Sequence, residues 1–387
     1  MMWLSLLLLY VVAMQLLLLG GSQTLPTIFP TATASTPSTV PTPQTCLDTK
    51  TAKLDEDHED TLKALTDLGM VYELKGQYDK AEPLYKKCKG LCATKMGEAH
   101  PLTLTSMNNL ADLYESQGRY DEAEPLYKDC LDKSIAKLGE DHPITLISIN
   151  NLALLYKSQG RYDKAEPMYK DCLDKRIAKL GEDHLDTLTS MGNLADLYES
   201  QGRYDEAEPL YKDCLDKRIA KLGEDHPDTL SSMNNLAFLY KSQGRYDEAE
   251  PMLKDCLDKR IAKLGEDHPY TLTSMSNLAN LYWSQGRYGE AEPMYKGCLD
   301  KRIAKLGEDH PDTLMSINCL ASLYYKLNRY AEAESLFKKC LDMRTTKLGA
   351  EHPDTLETVE WLVYIYREQR KYDQVESLKK AYPAFKK

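Results

Sequence analysis

The sequence predicts an all-α solenoid of about eight helical hairpins. Three observations carry that expectation: a strict 42-residue period, apolar residues at helical spacing within each period, and glycine or proline at its joints. The eight histidines are His58, His100, His142, His184, His226, His268, His310 and His352, each 42 residues after the last. Cys46, Cys88, Cys130, Cys172, Cys214, Cys256, Cys298 and Cys340 keep the same interval, and only Cys92 and Cys319 fall outside it. Self-similarity at such a period marks stacked repeat units. No insertion interrupts the spacing, so every unit must have one shape.

Taken in order, residues 3–19 come first and are apolar except for Ser5 and Gln15. At about 1.5 Å per residue they sit at the short limit for crossing a membrane core of ~30 Å. Gly20, Gly21 and Ser22 offer a signal-peptide cleavage site. No Lys or Arg precedes Lys50, so flanking charge gives no orientation. The expectation for residues 1–22 is therefore a hydrophobic signal peptide or a membrane anchor. If residues 3–19 are used, the protein enters the secretory pathway or a membrane; otherwise it is cytoplasmic. Residues 23–45 are rich in Ser, Thr and Pro, a composition of unpacked linkers and O-glycosylated stalks. The repeats are expected over 46–387.

One unit, Pro101 to His142, shows the shape. Leu104, Met107, Leu110, Ala111 and Tyr114 recur at three- and four-residue steps, the period of one helix face. Gly118 follows, where a left-handed turn is easiest for glycine. A second periodic run carries Ala123, Leu126, Tyr127, Cys130, Leu131, Ile135 and Leu138, and Gly139 closes it. Pro125 is expected in the first turn of that second helix, where a missing N–H costs little. The link Gly-Glu-Asp-His-Pro opens the next unit with Pro at its first helical position. The terminal units diverge, as caps do when one face meets water: Asp55 and Glu59 replace the link Gly and Pro, and Arg370 and Val375 replace Gly and Ala.

The residues Asn109, Leu110, Ala111, Tyr114, Gly118, Tyr120, Ala123, Tyr127 and the small Cys130 resemble the tetratricopeptide signature of small and aromatic positions. The 42-residue period and the Gly-Glu-Asp-His-Pro link are similar to the kinesin light chain subtype. The resemblance covers residues 46–387 and implies a right-handed superhelical solenoid of helix-turn-helix repeats. It further implies a protein-interaction scaffold or adaptor that binds extended peptide segments in a concave groove. Kinesin light chains carry a heptad coiled coil ahead of the repeats, which binds the motor heavy chain. The corresponding stretch here is rich in Pro and Thr and lacks heptads, so the resemblance does not extend to a link with a motor heavy chain. The competing reading is a structural or membrane-tethered cell-surface repeat protein without a peptide groove.

Composition narrows the chemistry. A net charge of −11 argues against nucleic acid, which needs clustered Lys and Arg. One His per 42-residue layer does not converge on an ion, so no metal site and no cofactor is expected; each His and its neighbouring Asp should cap the next helix. One Cys per layer sits too far from the next for a disulfide, given helix layers about 8–10 Å apart, so the thiols are expected buried and reduced. No repeat offers an exclusive nucleophile, base and oxyanion site, and no catalytic residue is assigned.

The candidate site lies on the first helix of each hairpin, opposite its apolar stripe. In the unit above this face carries Thr105, Asn108, Asn109, Asp112 and Glu115. In the family this face lines the groove, and in kinesin light chain-like grooves asparagines at the place of Asn109 hold the backbone of an extended peptide. Asn109, Asn151, Asn193, Asn235 and Asn277 repeat that residue through five units, and an amide both donates and accepts. The alternative role for these amides is a bond that steadies neighbouring helices. Around them the residues change from unit to unit: Leu154 and Lys157, Asp196 and Glu199, Phe238 and Lys241, Asn280 and Trp283. Lys157 and Lys241 suggest tolerance for acidic side chains, Asp196 and Glu199 a preference for a basic one, and Phe238 and Trp283 are candidate hot spots.

Overall fold

The protein, seen in a computed structural model, is described over residues 58–385. The expected signal or anchor, the linker, and the start of the repeats at residue 46 all lie outside those residues. Sixteen helices and no strand occur among the described residues. They pair as α1 (Glu59–Leu74) with α2 (Tyr78–Met96), α3 (Pro101–Ser116) with α4 (Tyr120–Leu138), and α5 (Pro143–Ser158) with α6 (Tyr162–Leu180). In chain order come α7 (Leu185–Ser200) and α8 (Tyr204–Leu222), then the pairs α9 (Pro227–Ser242) with α10 (Tyr246–Leu264) and α11 (Pro269–Ser284) with α12 (Tyr288–Leu306). The series ends with α13 (Pro311–Lys326), α14 (Tyr330–Leu348), α15 (Pro353–Glu368) and α16 (Tyr372–Ala381). The helices gather into two compact units, one reaching Gly202 and holding α1 to α7, the other starting at Arg203 and holding α8 to α16.

Each first helix starts in the same way. The histidine before it is its N-cap, and Nδ1 accepts the backbone N–H two residues on, at 3.2 Å for His142 and Ile144 and 3.1 Å for His352 and Asp354. The same bond forms at all eight histidines. The imidazole lone pair is thus used on an orphan N–H of the helix end. Each first helix then stops at a left-handed residue. Gly118 has φ 68°, and the non-glycine residues at its place in the last two hairpins, Asn328 and Arg370, keep φ at 58°.

The second helices start earlier than the sequence suggested. Backbone N–H groups of Glu122 and Ala123 both bond to Arg119 O, so α4 begins at Tyr120. Pro125 therefore lies inside the helix rather than in its first turn, and the bond it would make to the carbonyl four residues back is missing. The same proline recurs inside α2, α6, α8, α10 and α12.

The apolar stripes meet as expected. Leu104, Met107, Leu110, Ala111 and Tyr114 of α3 are buried, as are Ala123, Tyr127 and Cys130 of α4. In the second unit Leu272, Leu278, Ala279 and Tyr282 pack in the same way with Ala291, Tyr295 and Cys298. Each fully buried Leu contributes about 1.5–3 kcal/mol relative to exposure. One reading of the stripe needs correction. Ile135 is exposed, while Ser134 beside it is buried. From the third hairpin to the seventh, arginine occupies the place of Ser134. Buried Arg176 donates to Asp186 O at 2.7 Å and to Ser190 Oγ at 2.9 Å, and Arg260 and Arg344 repeat the bond on the next hairpin.

The cysteines at the 42-residue interval are buried free thiols from Cys88 to Cys340. Each spans two hairpins: Cys130 Sγ donates to Leu104 O at 3.3 Å and lies 3.4 Å from Ser148 Oγ. Outside the core, Arg119 bridges Glu82 of the preceding hairpin and Glu122 of its own, with its guanidinium stacked 4.1 Å over the Tyr114 ring. The pattern recurs at Arg245 and Arg287 in the second unit. No helix among the described residues is long and apolar enough to cross a membrane.

Candidate functional site

The face opposite the apolar stripe is built by three places on each first helix, on three successive turns. In α3 these are Asn109, Asp112 and Glu115, and all three are half-buried. Asn108 does not belong to this face. It is buried, and its Nδ2 donates to Ser148 Oγ at 3.3 Å on the next hairpin.

In the first unit the face is acidic and internally bonded. Tyr127, on the second helix, reaches through to donate to Asp112 Oδ1 and to Glu115 Oε2, the latter at 3.2 Å. Tyr85 donates to Glu73 Oε2 at 2.8 Å in the hairpin before. Burial pushes the Asp112 and Glu115 carboxyls up, against the opposing Tyr127 bonds, and raises Glu73 to about 7. These carboxyls sit in a desolvated setting where negative charge is costly.

The asparagines of this unit are engaged. Asn151 Nδ2 donates to Asp112 Oδ1 at 3.4 Å, and Asn193 Nδ2 donates to Asn150 Oδ1 at 2.7 Å. Both bonds cross from one hairpin to the next, so these amides do steady neighbouring helices. Asn109 differs: its Nδ2 is buried with no hydrogen-bond partner among the described residues. Lys157 and Asp196, which the sequence assigned opposite ligand preferences, form an ion pair with each other. Lys157 stands one turn further along its helix than Asp196 does, and stacking brings the two together on the diagonal. Glu199 is half-buried on the same helix as Asp196.

The second unit presents a different face on the same three places. Asn235 is exposed and has no hydrogen-bond partner among the described residues, whereas Asn277 is half-buried. Phe238 is 46% exposed, and Lys241 Nζ lies 4.4 Å from its ring centroid. Trp283 is half-buried with its Nε1 shielded from solvent and unpartnered among the described residues. Lys326 Nζ approaches that indole to 5.9 Å. Beyond Asn277 the asparagine gives way to Cys319 and then Trp361. Trp361 stacks on Phe337 at 5.7 Å and meets Tyr325 at 5.5 Å and Tyr364 at 6.1 Å. Sequence reasoning gave Trp361 no part in the site. The aromatics at Tyr325 and Tyr364 fall at the places of Glu115 and Asp112, so the period itself could have found the cluster.

The nucleophile-like residues are occupied elsewhere. The cap histidines use Nδ1 on a helix end, and burial raises the thiols of Cys172 and Cys256 and pushes Cys130 up to about 11. Such thiols are poor nucleophiles at neutral pH.

Tandem matches to the tetratricopeptide repeat family run over residues 60–135, 102–178, 150–220, 186–262, 228–304, 270–346 and 312–387. No curated protein matches the sequence. Among solved structures, the chain is similar to a candidate kinesin light chain of nearly identical TPR-like repeats from Podosopora anserina, at 26% identity and a TM-score of 0.45 over 52% of this chain and 95% of that one. It is similar to BtubC (BKLC) from P. vanneervenii at 24% identity and TM-score 0.47, over 61% of this chain and 92% of that one. A signal transduction ATPase with a tetratricopeptide repeat sensor from Pyrococcus horikoshii shares the fold alone, at 13% identity and TM-score 0.50 over 89% of this chain and 52% of that one.

Proposed function

This chain belongs to the tetratricopeptide repeat family, and on that premise we propose that the variable face of its first helices binds extended segments of partner proteins. Proteins of this family bind protein partners, and the chain is a protein-interaction scaffold. One observation carries the finer reading: core places stay fixed through the repeats while the places of Asp112 and Glu115 change from unit to unit. Residues that served only packing would have no cause to vary between Lys157, Glu199, Lys241 and Trp283 on an otherwise uniform scaffold. Asn109, Asn151, Asn193, Asn235 and Asn277 contact the ligand's backbone, which any sequence presents. Asp196, Glu199 and Lys157 select among ligands on the first unit, and Phe238, Lys241 and Trp283 on the second.

Two substitutions separate this role from a structural one. Asn193 steadies a neighbouring hairpin through Asn150, whereas Asn235 has no such bond to lose. Asn235→Ala should therefore leave the melting temperature unchanged and weaken selected ligands by about 3- to 10-fold, the worth of one hydrogen bond of ~0.5–1.5 kcal/mol. Asn193→Ala should cost both binding and some stability. Lys241→Glu should change which peptides a random library yields. If library-selected peptides bind Asn235→Ala and Lys241→Glu with undiminished affinity and preference, the partner docks elsewhere.

A further inference from the structure

We propose that the core of the first described hairpin, α1 with α2, binds one soft monovalent cation of the copper(I) class between Cys88 and Cys92, with the thioether of Met96 as third donor. The departure of this hairpin from its own repeat points there. The place of Cys92 is Ser134 in the next hairpin and then Arg176, Arg218, Arg260, Arg302 and Arg344. The place of Met96 is leucine in each later hairpin from Leu138 to Leu348. Only here do three sulfur residues follow at four-residue steps on one helix face.

The geometry suits a bridging ion. Cys88 Sγ and Cys92 Sγ lie 3.8 Å apart, and both residues are buried. Met96 packs against the same cluster, which Leu62, Leu65 and Leu68 complete. Two sulfurs held about 2.3 Å from one ion stand roughly 3.8 Å apart at a tetrahedral angle and 4.0 Å at a trigonal one. A disulfide is the rival use of such a pair. It needs Cβ atoms about 3.5–4.5 Å apart, and residues four apart on a helix hold theirs at about 5–6 Å. The helix therefore resists the disulfide and tolerates the bridge.

Polar groups also reach the sulfur. Thr66 Oγ1 and Ser106 Oγ lie 3.3 and 3.2 Å from Cys88 Sγ, and each gives its own proton to a helix carbonyl, Leu62 O and Leu102 O, so ion binding would have to turn them toward the sulfur. Thiolate and thioether donors select copper(I) over hard cations. Among the described residues no three His, Cys, Asp or Glu side chains converge, so the four-donor set of a structural zinc site is not assembled here. The exchange balances simply: one monovalent cation and two thiols give a dithiolate complex of net charge −1 and release two protons. Uptake should therefore rise with pH.

The test is anaerobic titration of the reduced full-length chain with copper(I), and with silver(I) as a redox-inert stand-in, against a chromophoric copper(I) chelator. Native mass spectrometry should count one ion per chain, and the melting temperature should rise. Cys92→Ser gives the hairpin the residue its neighbour already carries, so it folds, and it should lose more than the roughly 10–100-fold that an outer-shell change costs. Met96→Leu restores the repeat's own residue and should weaken binding by about 10-fold. Cys130→Ala, a ladder thiol outside the site, should retain the ion. A folded Cys92→Ser protein that holds copper as tightly as the parent overturns the proposal. So does a parent that takes up no ion, or that closes a Cys88–Cys92 disulfide with peroxide while failing to compete with the chelator.

Discussion

The two units wear different faces on one scaffold. In the first, the variable places carry Glu73, Asp112, Glu115, Asp196 and Glu199 beside Leu154 and Lys157, with tyrosine hydroxyls, asparagine amides and the Lys157 ammonium bonded among the carboxyls. In the second, the same places carry Phe238, Lys241, Trp283, Tyr325, Trp361 and Tyr364, which meet through rings and cations instead. Beneath both lie the same buried Ala, Tyr, Leu and Cys residues, and outside both runs the same Arg–Glu bridge. The difference teaches where this fold stores information. Places that set the hairpin shape are identical, and places that meet solvent on one face are free to diverge. A ligand suited to the first face should carry Lys or Arg, and one suited to the second should carry an apolar anchor.

The largest expected effect tests whether the core is common to both. Ala195 of the first unit and Ala279 of the second are fully buried at one repeat position. An aspartate there buries an unpaired charge in a packed site, costing about 3–5 kcal/mol. Because repeat stability is a sum of local and nearest-neighbour terms, Ala195→Asp and Ala279→Asp should lower thermal stability comparably. An unchanged melting profile in either variant breaks the comparison at its base.

The fold was legible because every repeat restates it. The period located all eight described hairpins, and the histidines were read as helix caps before any cap bond was seen. What remained hidden depends on geometry across hairpins. The pairing of Lys157 with Asp196 is a diagonal contact between stacked helices, so two charges that look unengaged in sequence neutralise each other. The buried arginines were missed because a charged residue on an apolar stripe reads as surface. Only the backbone carbonyl and Ser190 hydroxyl that receive Arg176 explain its burial. Pro125 was misplaced because proline marks early helix positions on average, while the turn after Gly118 and the bonds to Arg119 O start this helix at Tyr120.

A second effect, of intermediate size, sharpens the contrast by titration. Glu73 is raised to about 7 by burial, with the Tyr85 hydroxyl bond opposing, against about 4.3 when unfolded. Between those values the folded chain holds a proton that the unfolded chain has lost, so stability falls as pH rises through that window. Glu73→Gln removes the penalty while leaving Tyr85 an acceptor. It should stabilise the protein by about 1–3 kcal/mol at pH 8 and change little at pH 4. The exterior carboxylates have the opposite sign. Glu124, bonded by Arg161, is held at about 2, and its contribution is lost only as pH falls from about 4.3 toward that value. Denaturant melts of both proteins across this range would separate the two faces. Parallel curves for parent and Glu73→Gln would show that the acidic face is not desolvated.

The smallest effect asks whether the contrast between the units stops at the surface. Cys130 and Cys256 hold one repeat position in the first and second units, and both are fully buried. Each lies beside a serine of the next hairpin, Ser148 at 3.4 Å and Ser274 at 3.5 Å. Neither serine is orphaned when the sulfur goes, because Ser148 still donates to Ile144 O and Ser274 still accepts from Arg260. Alanine keeps the site small and apolar, so the loss is limited to packing around one atom. Cys130→Ala and Cys256→Ala should each cost about 1 kcal/mol or less. In the parent, burial shields both thiols and raises them, so a thiol reagent at pH 8 should label them slowly when folded and rapidly in denaturant. A cost confined to one unit, or fast labelling of one thiol alone, would mean that the units differ in their cores and not merely on the faces they present.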